Sequence, residues 1–157
     1  MKNLIQLSLL LVVFQFSNVF AQDIVPPKPE GNVPIIVAQT FEARFPKKNP
    51  VWFSQYQGRY DNKLVYEARF IFDKRYSAAI YNREGDLIAF TATIENSEIP
   101  EKALIYMKEN YPYQSITEAG IVDRGKTSTV ELGIDINNRF TVVVFDKEGN
   151  FIKTTLG

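Results

Sequence analysis

Apolar residues recur in two stretches of this chain that lie 66 residues apart. In residues 32–46 and 98–112 they follow the spacing i, i+1, i+4, i+8, which places them on one face of an α-helix. The two sets are Val37, Ala38, Phe41 and Phe45, and Ala103, Leu104, Met107 and Tyr111. Each stretch begins at a proline, which suits a first helical turn, and ends before another, which blocks further helix. We therefore predict one helix in each stretch.

Residues 64–71 and 130–137 alternate with a period of two at the same offset, as strands with one buried face do. The better-matched positions are Leu64, Tyr66, Ala68 and Phe70 against Val130, Leu132, Ile134 and Ile136. The offset then falls to 64, so that 76–90 matches 140–154, while the first strand of each copy fits an offset of either 65 or 66. The chain is thus an α+β protein in which a unit of one helix and four hairpin-connected strands occurs twice.

The repeat predicts two units, 33–96 and 97–157, after an N-terminal leader. Lys2, an apolar run and the small-residue site that ends at Ala21 are typical of a secretory signal peptide over 1–21. The alternative, a retained membrane anchor, is disfavoured by the polar residues within the run. Residues 22–32 are rich in proline and glycine and indicate a linker. We expect a periplasmic or secreted protein with no stable membrane anchor after cleavage.

The amino-acid composition excludes several classes of function. The chain has no histidine and no cysteine, which excludes Ser–His and Cys–His nucleophiles, ordinary zinc or haem ligation and disulfides. Its 18 basic and 18 acidic residues give no electrostatic reason to expect nucleic acid. No glycine-rich phosphate loop occurs, so we expect no cofactor.

Two acidic loops around a glycine raise the possibility of calcium binding. Residues 82–85 and 146–149 each follow a predicted strand and precede another. Asn or Asp at the start and Gly in the left-handed position suit a hairpin turn. A calcium site needs six to eight converging oxygens, whereas each loop has a basic residue in its middle. We predict turns and no metal site.

Glu67 follows the aromatic residue Tyr66, and it alternates with Arg69 on the predicted solvent face. A glycosidase needs a second carboxyl across a cleft, and the sequence supplies no such partner. We therefore expect a solvated pair of Glu67 with Arg69, or with a charge on a neighbouring strand, and no enzyme. The single tryptophan, Trp52, either packs in the core or forms a binding hot spot, and the sequence favours the core.

With the repeat established, the chain resembles the PepSY-like, β-lactamase-inhibitor-like (BLIP-like) family of exported bacterial proteins. The motifs are "IPEKALIYMKENYP", "YNREGDLIAF" and "VVVFDKEGNFIKT". The resemblance implies a tandem repeat of helix plus four-stranded antiparallel sheet, with the helices on one face of the sheet. Some related proteins inhibit enzymes through the open sheet face, and others are prosegments that restrain peptidases. The true inhibitor carries disulfides, which this chain lacks, so β-lactamase inhibition is not implied.

The sheet face away from the helices is the predicted binding surface. The candidates, from strand alternation, are Val65, Glu67, Arg69, Tyr81, Leu87, Phe145, Phe151 and Lys153. Apolar residues ringed by charges can mark a protein-binding surface, although the two copies or the linker could instead cover them. The sequence favours a non-catalytic, inhibitor-like or regulatory protein that binds an unknown protein or peptide there. The alternative is a periplasmic carrier of a small molecule or polymer on the same concave face.

Overall fold

A computed structural model describes residues 33–57 and 63–156. The predicted signal peptide and linker lie outside the described residues. Two α-helices each precede four strands, in the order predicted. The elements are α1 (Ile35–Arg44), β1 (Val51–Gln57), β2 (Lys63–Phe72), β3 (Arg75–Tyr81), β4 (Leu87–Thr93), a short 3-10 helix (Asn96–Glu98), α2 (Glu101–Asn110), β5 (Ile116–Arg124), β6 (Thr127–Ile136), β7 (Arg139–Asp146) and β8 (Phe151–Leu156).

The strands form one eight-stranded sheet in the order β1-β2-β3-β4-β5-β6-β7-β8. The neighbours whose register is defined are antiparallel, as expected for strands joined by hairpins. The predicted α+β tandem repeat is therefore confirmed. Within the described residues the chain divides into two compact units after Phe90.

The sequence pattern predicts a proline within the first turn of each helix, whereas each helix begins one residue after its proline. Pro34 and Pro100 are the N-cap residues, and their carbonyl oxygens accept hydrogen bonds from the backbone N–H groups of Ala38 and Ala103 at 3.1 and 2.9 Å. The prolines therefore fix the helix starts without a side-chain cap.

The first core lies between α1 and one face of its strands. Val37, Phe41 and Phe45 are buried as predicted, while Ala38 is exposed. Phe41 contacts Phe70 edge-on, with ring centroids 4.9 Å apart. Trp52 is half-buried and meets the Phe41 ring at 5.4 Å, which confirms its core placement. Edge-to-face packing of aromatic rings is a favourable geometry beyond simple burial, so these rings position α1 on the sheet.

The second core repeats this arrangement with aliphatic residues. Ala103 and Met107 of α2 are buried, and they pack with Leu132 and Ile134 of β6. Leu104, which the helical pattern also placed in the core, is 39% exposed. The buried stripe of α2 is thus narrower than the predicted one.

The predicted turns are confirmed at both hairpin tips. Gly85 and Gly149 have φ angles of +89° and +86°, a region that favours glycine. In the second turn the Asp146 carboxylate accepts hydrogen bonds from the backbone N–H groups of Glu148 and Asn150 and from the Asn150 side chain. These bonds lower the pKa of Asp146. Both carboxylate oxygens are therefore engaged in holding the turn.

Candidate functional site

We call the sheet face opposite the helix of each repeat its open face. In the first repeat Val65, Glu67 and Arg69 lie there, since they alternate with the helix-side residues Tyr66 and Ala68. The predicted face of these three residues is therefore correct. The cross-strand neighbours of Glu67 are Phe53 on β1 and Ile80 on β3, and those of Arg69 are Val51 and Ala78.

Glu67, Arg69 and Phe53 form one cluster on this open face. The Arg69 guanidinium donates from Nε to Oε1 of Glu67 at 2.6 Å and from Nη2 to Oε2 at 2.9 Å. Its Cζ lies 4.0 Å from the centre of the Phe53 ring. Burial raises the pKa of Glu67, although the hydrogen bonds and charge of Arg69 act in the opposite direction. A bidentate pair stacked on an aromatic ring is a strong and well-oriented use of arginine.

The predicted Glu67–Arg69 pair is correct, but its predicted solvation is wrong. Glu67 is completely buried, and the side chain of Arg69 is 17% exposed. The cross-strand neighbours Phe53 and Ile80 of Glu67 are apolar, and among the described residues the Arg69 guanidinium is the donor to both of its oxygens. Each oxygen of Glu67 therefore accepts one hydrogen bond from Arg69.

The open face of the second repeat carries a different set of charges. Glu118 on β5 lies opposite Gly133 on β6, and Gly120 lies opposite Glu131. This pairing places the first strand of the second copy at an offset of 65, which the sequence alone left undecided between 65 and 66. Lys153 on β8 and Glu131 on β6 both pair with Val144 of β7, so the predicted face of Lys153 is correct.

Glu131 is buried and only half satisfied. Its Oε1 accepts hydrogen bonds from Nη1 of Arg124 at 3.0 Å and from the Thr129 hydroxyl at 3.1 Å, whereas its Oε2 is buried without a hydrogen-bond partner. Burial raises the pKa of Glu131, and the charges of Arg124 and Lys153 partly offset that rise. A buried acceptor without a partner is rare in folded proteins and costs stability.

Glu118 carries a second buried acceptor on the same open face. Its Oε2 has no hydrogen-bond partner. Burial, with a further contribution from the negative charge of Asp135, raises the pKa of Glu118 to about 7. Among the described residues the second repeat thus holds two carboxylates that are each short of a donor.

Four predicted binding residues do not lie on the open face. Tyr81 and Phe145 are fully buried in the helix-side cores of their repeats. Leu87 packs against the first core, and the Phe151 ring stacks on Tyr106 of α2 with centroids 4.6 Å apart. For Tyr81 and Phe145 the predicted face is wrong because β3 and β7 are apolar on both faces.

Phe53, Glu118 and Phe140 are open-face residues that sequence reasoning missed. A Cβ atom added to Gly133 would lie 2.9 Å from Cε2 of Phe140 and 3.1 Å from Cβ of Glu118, so the Phe140 ring lies against this glycine beside Glu118. Each of these residues lies opposite a charged residue or a glycine of the neighbouring strand. That relation can be recognised only when the register of the strands is known.

Two depressions of the second repeat lie away from its open face. One, of about 540 Å³, is lined by Ile136, Asn137, Arg139, Thr141 and Leu156. The other, of about 500 Å³, lies beside the end of α2 and is lined in part by Met107, Tyr111 and Ile116. Both depressions are lined by residues that lie on the helix side of the sheet.

Neither helix in residues 33–57 and 63–156 has the length and apolar character needed to cross a membrane. Comparison of the sequence with family models gives no match, and comparison with curated proteins gives none either.

Solved structures of Bacteroides proteins share this fold. A Bacteroides eggerthii protein, provisionally described as periplasmic, matches with a TM-score of 0.67 and 13% identity over 80% of this chain and 90% of that one. A DUF2874 family protein of Bacteroides ovatus matches with 0.67 and 17% over 81% and 89%. A BLIP-like protein of Bacteroides fragilis matches with 0.60 and 10% over 84% and 87%. The resemblance seen in the sequence is thereby confirmed at the level of structure: the chain has the fold of the BLIP-like and DUF2874 proteins.

Proposed function

We propose that this is an exported, non-catalytic protein that binds a protein or peptide through the open face of its sheet. The observation that carries the proposal is the apolar character of that face. Its buried apolar residues include Val65, Ala78 and Ile80 in the first repeat and Val122, Val142 and Val144 in the second, and none of these six belongs to a helix-side core. An antiparallel sheet face that meets only water is mostly polar instead.

These apolar side chains are each less than 4% exposed. A contiguous set of apolar side chains from which water is excluded is also what the centre of a protein–protein interface contains. The likeness of fold to a BLIP-like protein supports a binding role, and the likeness to a protein provisionally described as periplasmic supports export. The absence of histidine and cysteine from the sequence, with Glu67 paired to Arg69, supports a role without catalysis.

Photo-crosslinking from matched positions tests this proposal. The photoreactive residue p-benzoylphenylalanine replaces Ile71, which is 48% exposed on the open face, or Ile105, which is 50% exposed on α2. A second pair uses Lys153 and Tyr113, both exposed. After irradiation of expressing cells we expect discrete protein adducts from positions 71 and 153 and none from 105 and 113. Adducts that form equally from both sets, or only from the helix side, would contradict binding through the open face.

A further inference from the structure

The two repeats differ in how they satisfy the charges of their open faces. In the first repeat Arg69 supplies a guanidinium from within the chain, which binds both oxygens of Glu67 and lies over the Phe53 ring. In β6, at the offset of 66 residues, Gly133 and Asp135 occupy the positions of Glu67 and Arg69. The second repeat therefore has a carboxylate where the first has its internal cation, and a glycine where the first has the paired carboxylate.

The carboxylates of the second repeat lie close together on one side of the sheet. Glu118 is opposite Gly133, which places it diagonally between Glu131 and Asp135 on the neighbouring strand. Diagonal partners in an antiparallel sheet are within reach of long side chains. The open face of the second repeat thus has three carboxylates, those of Glu118, Glu131 and Asp135, and two cations, Arg124 and Lys153. The charges of both cations lower the pKa of Glu131.

Two carboxylate oxygens of this group lack a hydrogen-bond donor. Oε2 of Glu118 and Oε2 of Glu131 are both buried without a hydrogen-bond partner, and Glu131 as a residue is only 5% exposed. Leaving a carboxylate oxygen buried without a donor is unfavourable, and a charged N–H group that reaches it forms one of the stronger hydrogen bonds available in proteins.

An aromatic ring completes the arrangement. The Phe140 ring lies against Gly133, directly beside Glu118, where only a residue without a Cβ leaves room for it. Aromatic rings attract lysine and arginine side chains, and in the first repeat the Phe53 ring contacts the Arg69 guanidinium beside a carboxylate.

We infer that the open face of the second repeat holds a lysine or arginine side chain of the bound protein or peptide, between Glu118 and Glu131 and beside the Phe140 ring. This inference rests on the proposed function and adds the chemistry that the partner must present. The first repeat, whose carboxylate is already paired internally, does not take a second cation.

Peptide titration of the isotopically labelled protein tests this inference. The probes are acetylated and amidated peptides of the form Gly-Val-Xaa-Val-Gly, in which Xaa is lysine, arginine or uncharged norleucine. At pH 8 we expect the lysine and arginine peptides to shift the amide resonances of residues 118–120, 131–133 and 140, and to bind about tenfold more tightly than the norleucine peptide. Glu118→Gln should remove that preference, while Asp123→Asn, a change at an exposed position of the same strand, should leave it intact.

A variant that carries its own cation separates a binding role from a structural one. Asp135→Arg places a guanidinium at the position equivalent to Arg69, and we expect it to pair with Glu118 and abolish the preference for cationic peptides in a folded protein. Equal affinity for all three peptides would overturn the cation site while leaving peptide binding by the sheet intact. Absence of any shift at these residues would overturn the cation site too, and the crosslinking from positions 71 and 153 would still decide the proposed function independently.

Discussion

Arg69 binds both carboxylate oxygens of Glu67, at 2.6 and 2.9 Å, on a sheet face where Glu67 is completely buried. Two residues that alternate on one strand therefore form a bidentate ion pair. The Phe53 ring beneath the guanidinium fixes its orientation. Because both partners of this ion pair are identified, the effect on stability of removing either partner can be predicted.

Removal of Arg69 should leave a buried carboxylate without a counterion. We expect Arg69→Met to lower the free energy of unfolding by about 2–4 kcal/mol, because an unpaired buried charge is strongly unfavourable. The double variant Arg69→Met with Glu67→Gln should recover part of that loss, since the uncompensated charge is then absent. Urea unfolding of the two single variants and the double variant measures the coupling. Additive effects of the two substitutions would show that the pair does not act as a unit.

Glu118 should make the stability of the protein depend on pH. Its pKa is raised from 4.5 to about 7 in the folded chain, so the folded state binds more protons than the unfolded state between those values. The contribution of Glu118 to the free energy of unfolding is therefore fully present below about pH 4.5 and is lost as the pH rises to about 7. Glu118→Gln removes this contribution, so the variant should lose less stability than the parent between pH 5 and pH 8.

Neighbouring groups bear on this pH dependence as well. The charged groups of the same open face include Asp135 and Glu131 on β6, Arg124 on β5 and Lys153 on β8. Burial also raises the pKa of Glu131, so Glu131 likewise makes the free energy of unfolding fall as the pH rises. The effect of Glu118 is therefore measured as the difference in pH dependence between the parent protein and the Glu118→Gln variant. Glu109→Gln, at an exposed position of α2, is the control. A side-chain NMR titration of Glu118 with a midpoint near 4.5 would refute the prediction.

Much of the fold follows from local pattern, whereas the choice of sheet face does not. The helical spacing of Phe41 and Met107 and the turn glycines could be identified because each depends on neighbours in sequence. Tyr81 and Phe145 were assigned to the wrong face because β3 and β7 are apolar at both odd and even positions. Only pairing with β2 and β6, whose two faces differ, decides which side of these strands meets the helix.

The cluster around Glu118 illustrates a second limit of sequence reasoning. Its position opposite Gly133 follows a register shift between Ile116 and Glu118, and one residue of slip would reverse the face of every later side chain in β5. No local feature of the sequence sets that shift. The relation between Glu118, Gly133 and the Phe140 ring could therefore be found only from the register.

The turn glycines should be intolerant of any side chain, for two separable reasons. Gly149 has a φ of +86°, and a Cβ added there would lie 2.8 Å from Cβ of Pro100 and 2.9 Å from the backbone nitrogen of Ala103. Gly125 also has a positive φ, of +62°, but a Cβ there would meet nothing within 4 Å. We expect Gly125→Ala to cost about 1 kcal/mol from backbone strain alone, and Gly149→Ala to cost about 2–3 kcal/mol because the turn must also move away from α2. Chemical unfolding of both variants measures the difference, and equal losses would mean that the contact between this turn and the start of α2 contributes nothing to stability.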